Sequence, residues 1–326
     1  MRLFRYKSAA ALLAAGALLA AAHVVAQSSY PQRVITIIVP YSPGTGPDIL
    51  ARALGQKLAE RWGVGVVIDS KPGASGNIGT ELAAKAPADG YTLMMTATTF
   101  ALNAALTKAA RYDPLRSFAP VSLVATGALA FAVGDKTPAK TMREFTALAK
   151  VRPGELNYAS TGNGTPQHLT MELFKLNAGI DVTHVPYKET AGAIRDLAGD
   201  HVNAMILPVH TVAPLVQSGK VRVLAVFSNQ RSPVFANVPT LQEEGFGNVE
   251  IYVWYGLMAP AATPPDIVNK LNSEMNAILA LAEVKEMLGR QGLTPVGGRP
   301  DKLTELIKSD FERWTRVIAE AKIKAD

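Results

Sequence analysis

A strand-like apolar run, a glycine-rich turn and a helix follow one another twice in this chain of 326 residues, and no other feature constrains the fold as much. The first copy is strand-like over 34–40, turns over 41–46 and enters a helix at Pro47. The second is strand-like over 156–159, turns over 160–164 and enters a helix at Thr165. A turn of this kind presents backbone N–H groups at a helix N-terminus, where the first amides lack intrahelical acceptors and the macrodipole favours negative charge. Each unit reads as a cradle for an anion or carboxylate. Two such cradles point to two lobes closing on one ligand.

Strand-like and helical segments alternate through the rest of the chain, which predicts an α/β fold with largely parallel sheets. Leu50, Leu54 and Leu58 recur every four residues and give 47–62 a helical stripe with Pro47 at its first turn. Strands are expected at 64–68 and 91–95, with a helix at 80–85 between them. A second alternating series runs from a helix starting at Met142 to a strand at 221–226. Two long apolar strands, 123–133 and 249–257, sit where one series gives way to another and are the hinge candidates. Helices at 266–281, 283–288 and 301–323 then return to the first lobe.

Arg2, Arg5 and Lys7 precede an apolar stretch over 9–22 and a small residue at Ala26, the pattern of a secretory signal peptide over 1–26. The apolar stretch is shorter than the roughly 20 residues a membrane helix needs. The formal charge is +6, and three of those charges lie in the leader, leaving +3 on the mature chain. With no basic run and no aromatic interleaving, nucleic-acid binding is not expected. There is no cysteine, hence no disulfide, thiolate metal site or lipid-bearing Cys. The expectation is a free periplasmic monomer.

The segment 39–50 has Gly44 and Gly46 in G-x-G spacing, and Asp69 follows roughly 20 residues on. Ile49, however, occupies the place of the third glycine of a dinucleotide fingerprint. A carboxylate cradle is the preferred reading, with Tyr41, Ser42 and Thr45 adding hydroxyl donors. The second turn lacks the G-K-[ST] of a P-loop, and Ser160 near His168 lacks a nucleophile elbow. His184, His201 and His210 show no metal-ligand spacing, and His184 and His201 read as structural. Glu243 and Glu244 read as a solvated pair. Tyr187, Lys188 and Thr190 lie at a strand's carboxyl end, where α/β folds bind ligands. The same holds for Thr96, Thr98 and Thr99, and for Leu207 and Pro208.

Six blocks in order, YPQRVITIIVPYSPGTGPDILAR, SKPGASGNIGTELAAKAPADGYTL, LNYASTGNGTPQHLTMELF, VPYKETAGAIRDLAGDHV, SGKVRVLAV and WYGLMAPAATPPDIVNKLN, make the chain resemble the Bug receptors. These are periplasmic substrate-binding proteins of tripartite tricarboxylate transporters. The resemblance runs from about Pro31 to Asp326 and implies a two-lobed type II binding-protein fold. Lobe I is then 27–125 with 253–326, and lobe II is 126–252. Each is a mainly parallel sheet flanked by helices, and two strands cross between them.

The resemblance further implies a small carboxylate held by amides, hydroxyls and water, and a membrane permease as partner, with neither cofactor nor metal. Its first-lobe contacts would be Tyr41, Ser42, Gly44, Thr45 and Gly46, with Thr96, Ala97 and Thr98. The second-lobe contacts would be Ser160, Thr161, Gly162, Asn163, Gly164, Thr165 and His168, then Tyr187, Lys188, Thr190, Leu207 and Pro208. Departures from the family pattern are Thr45 in place of a glycine, and Glu189 with Thr190 in the loop after Lys188, which sets an acid near the mouth. Leu207 stands where many relatives have an Asp, which argues against amino-acid ligands. With no Arg in the ligand turns, a mono- or dicarboxylate, possibly aromatic, is expected over a more highly charged acid. The alternatives are an exported α/β hydrolase using Ser160 or a nearby Thr, a sensor-coupled receptor, and a purely structural adhesin.

Overall fold

Ile35, Ile37, Ile38 and Val39 of strand β1 (Ile35–Val39) are all buried, as an unbroken β-branched run requires of a strand covered on both faces. The computed structural model describes residues 30–106, 110–247 and 251–320, so the expected leader over 1–26 and its cut site lie outside the described residues. Helix α1 (Gly46–Trp62) places Leu50, Leu54 and Leu58 against the sheet with none of the three exposed. Pro47 opens this helix, and Gly63 closes it at φ 69°, a left-handed cap that glycine adopts without a Cβ clash.

The chain continues through β2 (Val66–Ser70), α2 (Asn77–Ala84), β3 (Thr92–Ala97) and α3 (Thr99–Leu106) into β4 (Phe118–Gly134). It then passes α4 (Met142–Val151), β5 (Asn157–Ser160), α5 (Pro166–Ala178), β6 (Thr183–Pro186) and α6 (Thr190–Ala198). Next come β7 (Ala204–Pro208), α7 (Val209–Gln217), β8 (Val221–Val226) and β9 (Tyr252–Pro260). The chain ends in α8 (Pro265–Ala280), α9 (Ala282–Arg290), β10 (Leu293–Pro295) and α10 (Pro300–Glu320).

Among the described residues the strands form one sheet in the order β2-β1-β3-β9-β4-β7-β5-β6, with β8 and β10 also paired to β4. β2, β1 and β3 are mutually parallel, as are β6, β5 and β7. The long strands run against their neighbours. β4 is antiparallel to β9 through Ala128 and to β7 from Leu129 onward, so a single strand passes from one half of the sheet to the other. Irregularities at Pro120/Ser122 and Leu123/Ala125 let it bend on the way.

β9, the other hinge candidate, pairs only within the first half. The return crossing comes just before it, where the Ile251 amide donates to Phe227 O. Val249 and Glu250 of that expected strand lie outside the described residues, as does the end of the expected helix beyond Glu320. The C-terminal helix does pack on the first half. Trp254 Nε1 of β9 donates to Asp310 of α10 at 2.6 Å, with both side chains buried, and Leu303 and Ile307 pack in the same cluster. No helix among the described residues is long and apolar enough to cross a membrane.

Candidate functional site

The carboxyl ends of the parallel strands in the two halves face one another across a cleft, and three connected chambers occupy it. The inner chamber has a volume of about 240 Å³ and is walled on one side by Tyr41 to Pro47, Ala97, Thr98, Val253 and Tyr255. Opposite stand Thr161, Gln167, Thr190, Ile194, Leu207 and Pro208. The first turns of five helices reach it, through Gly46 of α1, Thr99 of α3, Gln167 of α5, Thr190 of α6 and Thr211 of α7. A small neck of about 90 Å³ carries Ser42, Thr45, Thr161, Thr165 and Lys188. It leads to an outer crevice of about 660 Å³ with Ser75, Asn103, Gly162, Asn163, Tyr187 and Lys188. Glu189 borders all three.

Both expected cradles thus meet in one cleft, yet four residues named from the sequence do not line it. Thr96 is fully buried and its hydroxyl pairs with that of Tyr41 at 3.2 Å. Ser160 is likewise buried, with Oγ 2.6 Å from His184 Nε2, donating to Gly162 O and accepting from the Gly162 amide. His168 turns inward, accepts the Gly164 amide on Nδ1 at 2.9 Å and stacks on His184 with ring centres 4.1 Å apart. Gly164 is covered by a side chain from across the cleft, since a Cβ there would lie 1.8 Å from Leu106 Cδ2. Ser160 and His168 support the second turn from behind, and Thr96 holds Tyr41 of the first. The partner of Ser160 is His184 instead of the His168 that sequence proximity pointed to.

The turn amides also depart from expectation. The Gly44 amide donates to Asp48 Oδ2 at 2.9 Å, that of Thr45 to Ser42 O and that of Thr165 to Gly162 O. Together with Gly162 and Gly164, these glycine-turn donors are taken by groups a few residues away, because short polar side chains fold back onto adjacent amides. Amides without a hydrogen-bond acceptor among the described residues include Ser42, Thr161 and Asn163 in the turns, and Gly46 and Asp48 in α1 and Gln167 in α5 just beyond them.

Asp48 is buried, which raises its carboxyl, but hydrogen bonds from Arg52 and the Gly44 amide outweigh this and hold it below the usual range. That anion neutralises the α1 terminus from within. α3, α5 and α7 carry no acidic residue in their first turns. Tyr41 and Tyr255 are both raised by burial and stay neutral. Behind Gly46, His210 is lowered to about 4 by desolvation, so it too is uncharged at neutral pH. A Cβ at Gly46 would fall 2.7 Å from Tyr255 Oη and 2.8 Å from His210 Nε2, so only glycine lets these rings close the chamber floor.

Sequence reasoning missed Gln167, Thr211, Val253 and Tyr255 as lining residues. Thr99 was marked but given no place in the site. Gln167 and Thr211 could have been found as first-turn residues of helices that follow ligand-facing turns.

The pattern of the tripartite tricarboxylate transporter family receptor matches residues 50–323. The chain belongs to this receptor family. BugT of Bordetella pertussis is 36% identical over 304 residues, covering 92% of this chain and 93% of BugT. R. palustris Rpa4515, solved with adipate, superposes with a TM-score of 0.88 at 34% identity, over 91% of this chain and all of that one. MatC from Rhodopseudomonas palustris, solved with bound malate, gives 0.82 at 28% identity, over 89% of this chain and all of that one. The periplasmic binding protein BugD gives 0.85 at 29%, over 91% of this chain and all of BugD. These superpositions extend over about nine-tenths of the chain, both halves of the sheet included.

Proposed function

We propose that this protein is an exported, non-catalytic receptor that captures a small organic carboxylate and presents it to the permease of a tripartite tricarboxylate transporter. Residues 27–125 with 253–326 form one lobe and 126–252 the other. The ligand sits in the inner chamber, against the neutral hydroxyls and the helix termini from both sides. Contacts to both lobes favour the closed arrangement by differential affinity, and the permease reads that state. The observation that carries this is the convergence of five helix N-termini on one chamber of the cleft. Asp48 sits at the terminus of α1 and Glu189 at that of α6, and the termini of α3, α5 and α7 supply partial positive charge where no lysine, arginine or histidine among the described residues lines the wall. Relatives solved with adipate and with malate support the ligand class.

The hydrolase reading finds a hydrogen-bonded Ser160–His184 pair, but the hydroxyl is buried and held by both polar groups of Gly162. The test is a thermal-shift and calorimetric screen against organic acids. An acid that binds the native state raises the melting temperature and is recovered unchanged. A silent panel, or turnover abolished by Ser160→Ala, overturns the receptor reading.

A further inference from the structure

A backbone amide can only donate, so the 2.9 Å bond from the Gly164 N–H to His168 Nδ1 fixes the state of that imidazole. Nδ1 carries a lone pair, the ring hydrogen sits on Nε2, and His168 is neutral whenever the bond is made. His184, stacked on it with ring centres 4.1 Å apart, is not constrained in this way. Ser160 Oγ gives its one hydrogen to Gly162 O and accepts the Gly162 amide, so His184 Nε2 meets it as a donor. A proton gained by His184 leaves that bond in place. A proton gained by His168 turns an acceptor into a donor and sets N–H against N–H.

The bond under that control belongs to the ligand site. Gly164 is buried at φ 72° in the second turn, and a Cβ there would fall 1.8 Å from Leu106 Cδ2, so at this point α3 of the first half touches the second. In the same turn Thr161 borders all three chambers and Asn163 the outer crevice, and neither amide has an acceptor among the described residues. A buried amide that loses its acceptor has to find another, and for Gly164 that means displacing the turn that carries those donors. His184 of β6 and Tyr158 of β5 stack on the His168 ring, with centres 4.1 and 6.5 Å away. Glu172, one turn further along α5, lies within electrostatic reach and is itself bound by Lys175 and the Tyr158 hydroxyl. Lys188 and Glu189 border the neck beside Thr165 and are exposed. β7, on which α5 also packs, has no titratable residue.

Building on the receptor reading above, we propose that His168 is a positioning residue of the ligand site: its neutral imidazole holds the second turn in binding geometry, and a proton on Nδ1 releases the Gly164 amide and weakens carboxylate binding. The histidine itself need not touch the ligand. Ligand and proton compete through the turn, and each weakens the other by the same factor.

Two variants and two readouts test it on the full-length protein. His168→Asn offers Oδ1 in the place of Nδ1 and gains no proton, while His168→Leu offers no acceptor. NMR of the ligand-free protein between pH 7.5 and 5 follows the His168 ring and the Gly164 amide. In the wild type the amide loses its hydrogen-exchange protection along the same curve as the ring titrates, and in His168→Asn it stays protected throughout. Calorimetry with adipate, or with the panel acid of largest thermal shift where adipate is silent, reads the site. At pH 7.5 His168→Asn binds within about threefold of the wild type and His168→Leu about tenfold more weakly or worse. On acidification the wild type falls away from His168→Asn by about tenfold, titration of the acid itself being common to both. A purely structural histidine would lower the melting temperature of both variants and leave the pH profiles of wild type and His168→Asn parallel. Parallel profiles, a ring that stays neutral across the range, an amide indifferent to the ring, or wild-type affinity in His168→Leu overturns the proposal and leaves the receptor reading standing. Silence from the whole acid panel overturns both.

Discussion

His210 closes the floor of the inner chamber, 8% exposed, its Nε2 3.5 Å from Tyr255 Oη and packed over Gly46. Burial lowers it from 6.5 to about 4, so in the folded protein it gains a proton only well below the pH at which the unfolded chain does. The unfolded state therefore binds more protons across that interval. The stability contributed by neutral His210 is complete above about pH 6.5 and is lost as pH falls towards 4. A gap of about 2.5 pH units at ~1.36 kcal/mol each sets the loss at roughly 3 kcal/mol. Urea unfolding of the wild type and of His210→Gln, at constant ionic strength between pH 7.5 and 4.5, measures it. Carboxylates and the other histidines titrate in both proteins and cancel in the difference. The variant should lose stability at neutral pH through altered packing, and the difference between the two proteins should narrow by about 2–3 kcal/mol on acidification. A difference that does not change with pH would refute the claim that a buried neutral imidazole holds the floor.

Two further perturbations probe the frame around the cleft. Gly164→Ala would place a methyl 1.8 Å from Leu106 Cδ2 at a backbone φ of 72°, so it should oppose closure of the jaws and weaken ligand affinity by about tenfold or more in calorimetry. Unchanged affinity would show that this contact is absent from the bound state. Trp254→Phe strips the indole donor from Asp310, a carboxyl that burial already raises despite Trp254 and Arg313. It should lower stability by about 2–4 kcal/mol in urea, and a loss under 1 kcal/mol would mean that Asp310 finds another donor.

The parts of this architecture written locally were legible, and those made by distant chain segments were not. Leu50, Leu54 and Leu58 declare their helix by spacing, and Pro47 and Gly63 mark its ends, because capping and periodicity act within a few residues. Helix α3 was missed. Thr98 stands at its N-cap position, but its hydroxyl accepts the Trp254 amide of β9, and burial of Phe100 and Ala101 against β9 and α10 holds the helix in place.

The two glycine turns were found, but the amides of Gly44, Gly162 and Gly164 were thought free, whereas Asp48, Ser160 and His168 occupy them and only that of Gly46 is left without an acceptor. That error was avoidable in part. An acidic side chain four residues after Gly44 and a serine two residues before Gly162 are spacings at which side chains habitually bond turn amides. What such spacing could not show is the consequence. Asp48 in the first turn of α1 and Glu189 at the N-cap of α6 leave three termini at the chamber that carry no acid. Those termini come from α3 in the first half and from α5 and α7 in the second, and only the folded sheet brings them to one space. Tyr255 and His210, 45 residues apart in sequence, meet over Gly46 for the same reason. Charge cancellation at two helices can be read from the order of residues, but the place where the remaining helices converge depends on β4 carrying the chain from one half of the sheet into the other.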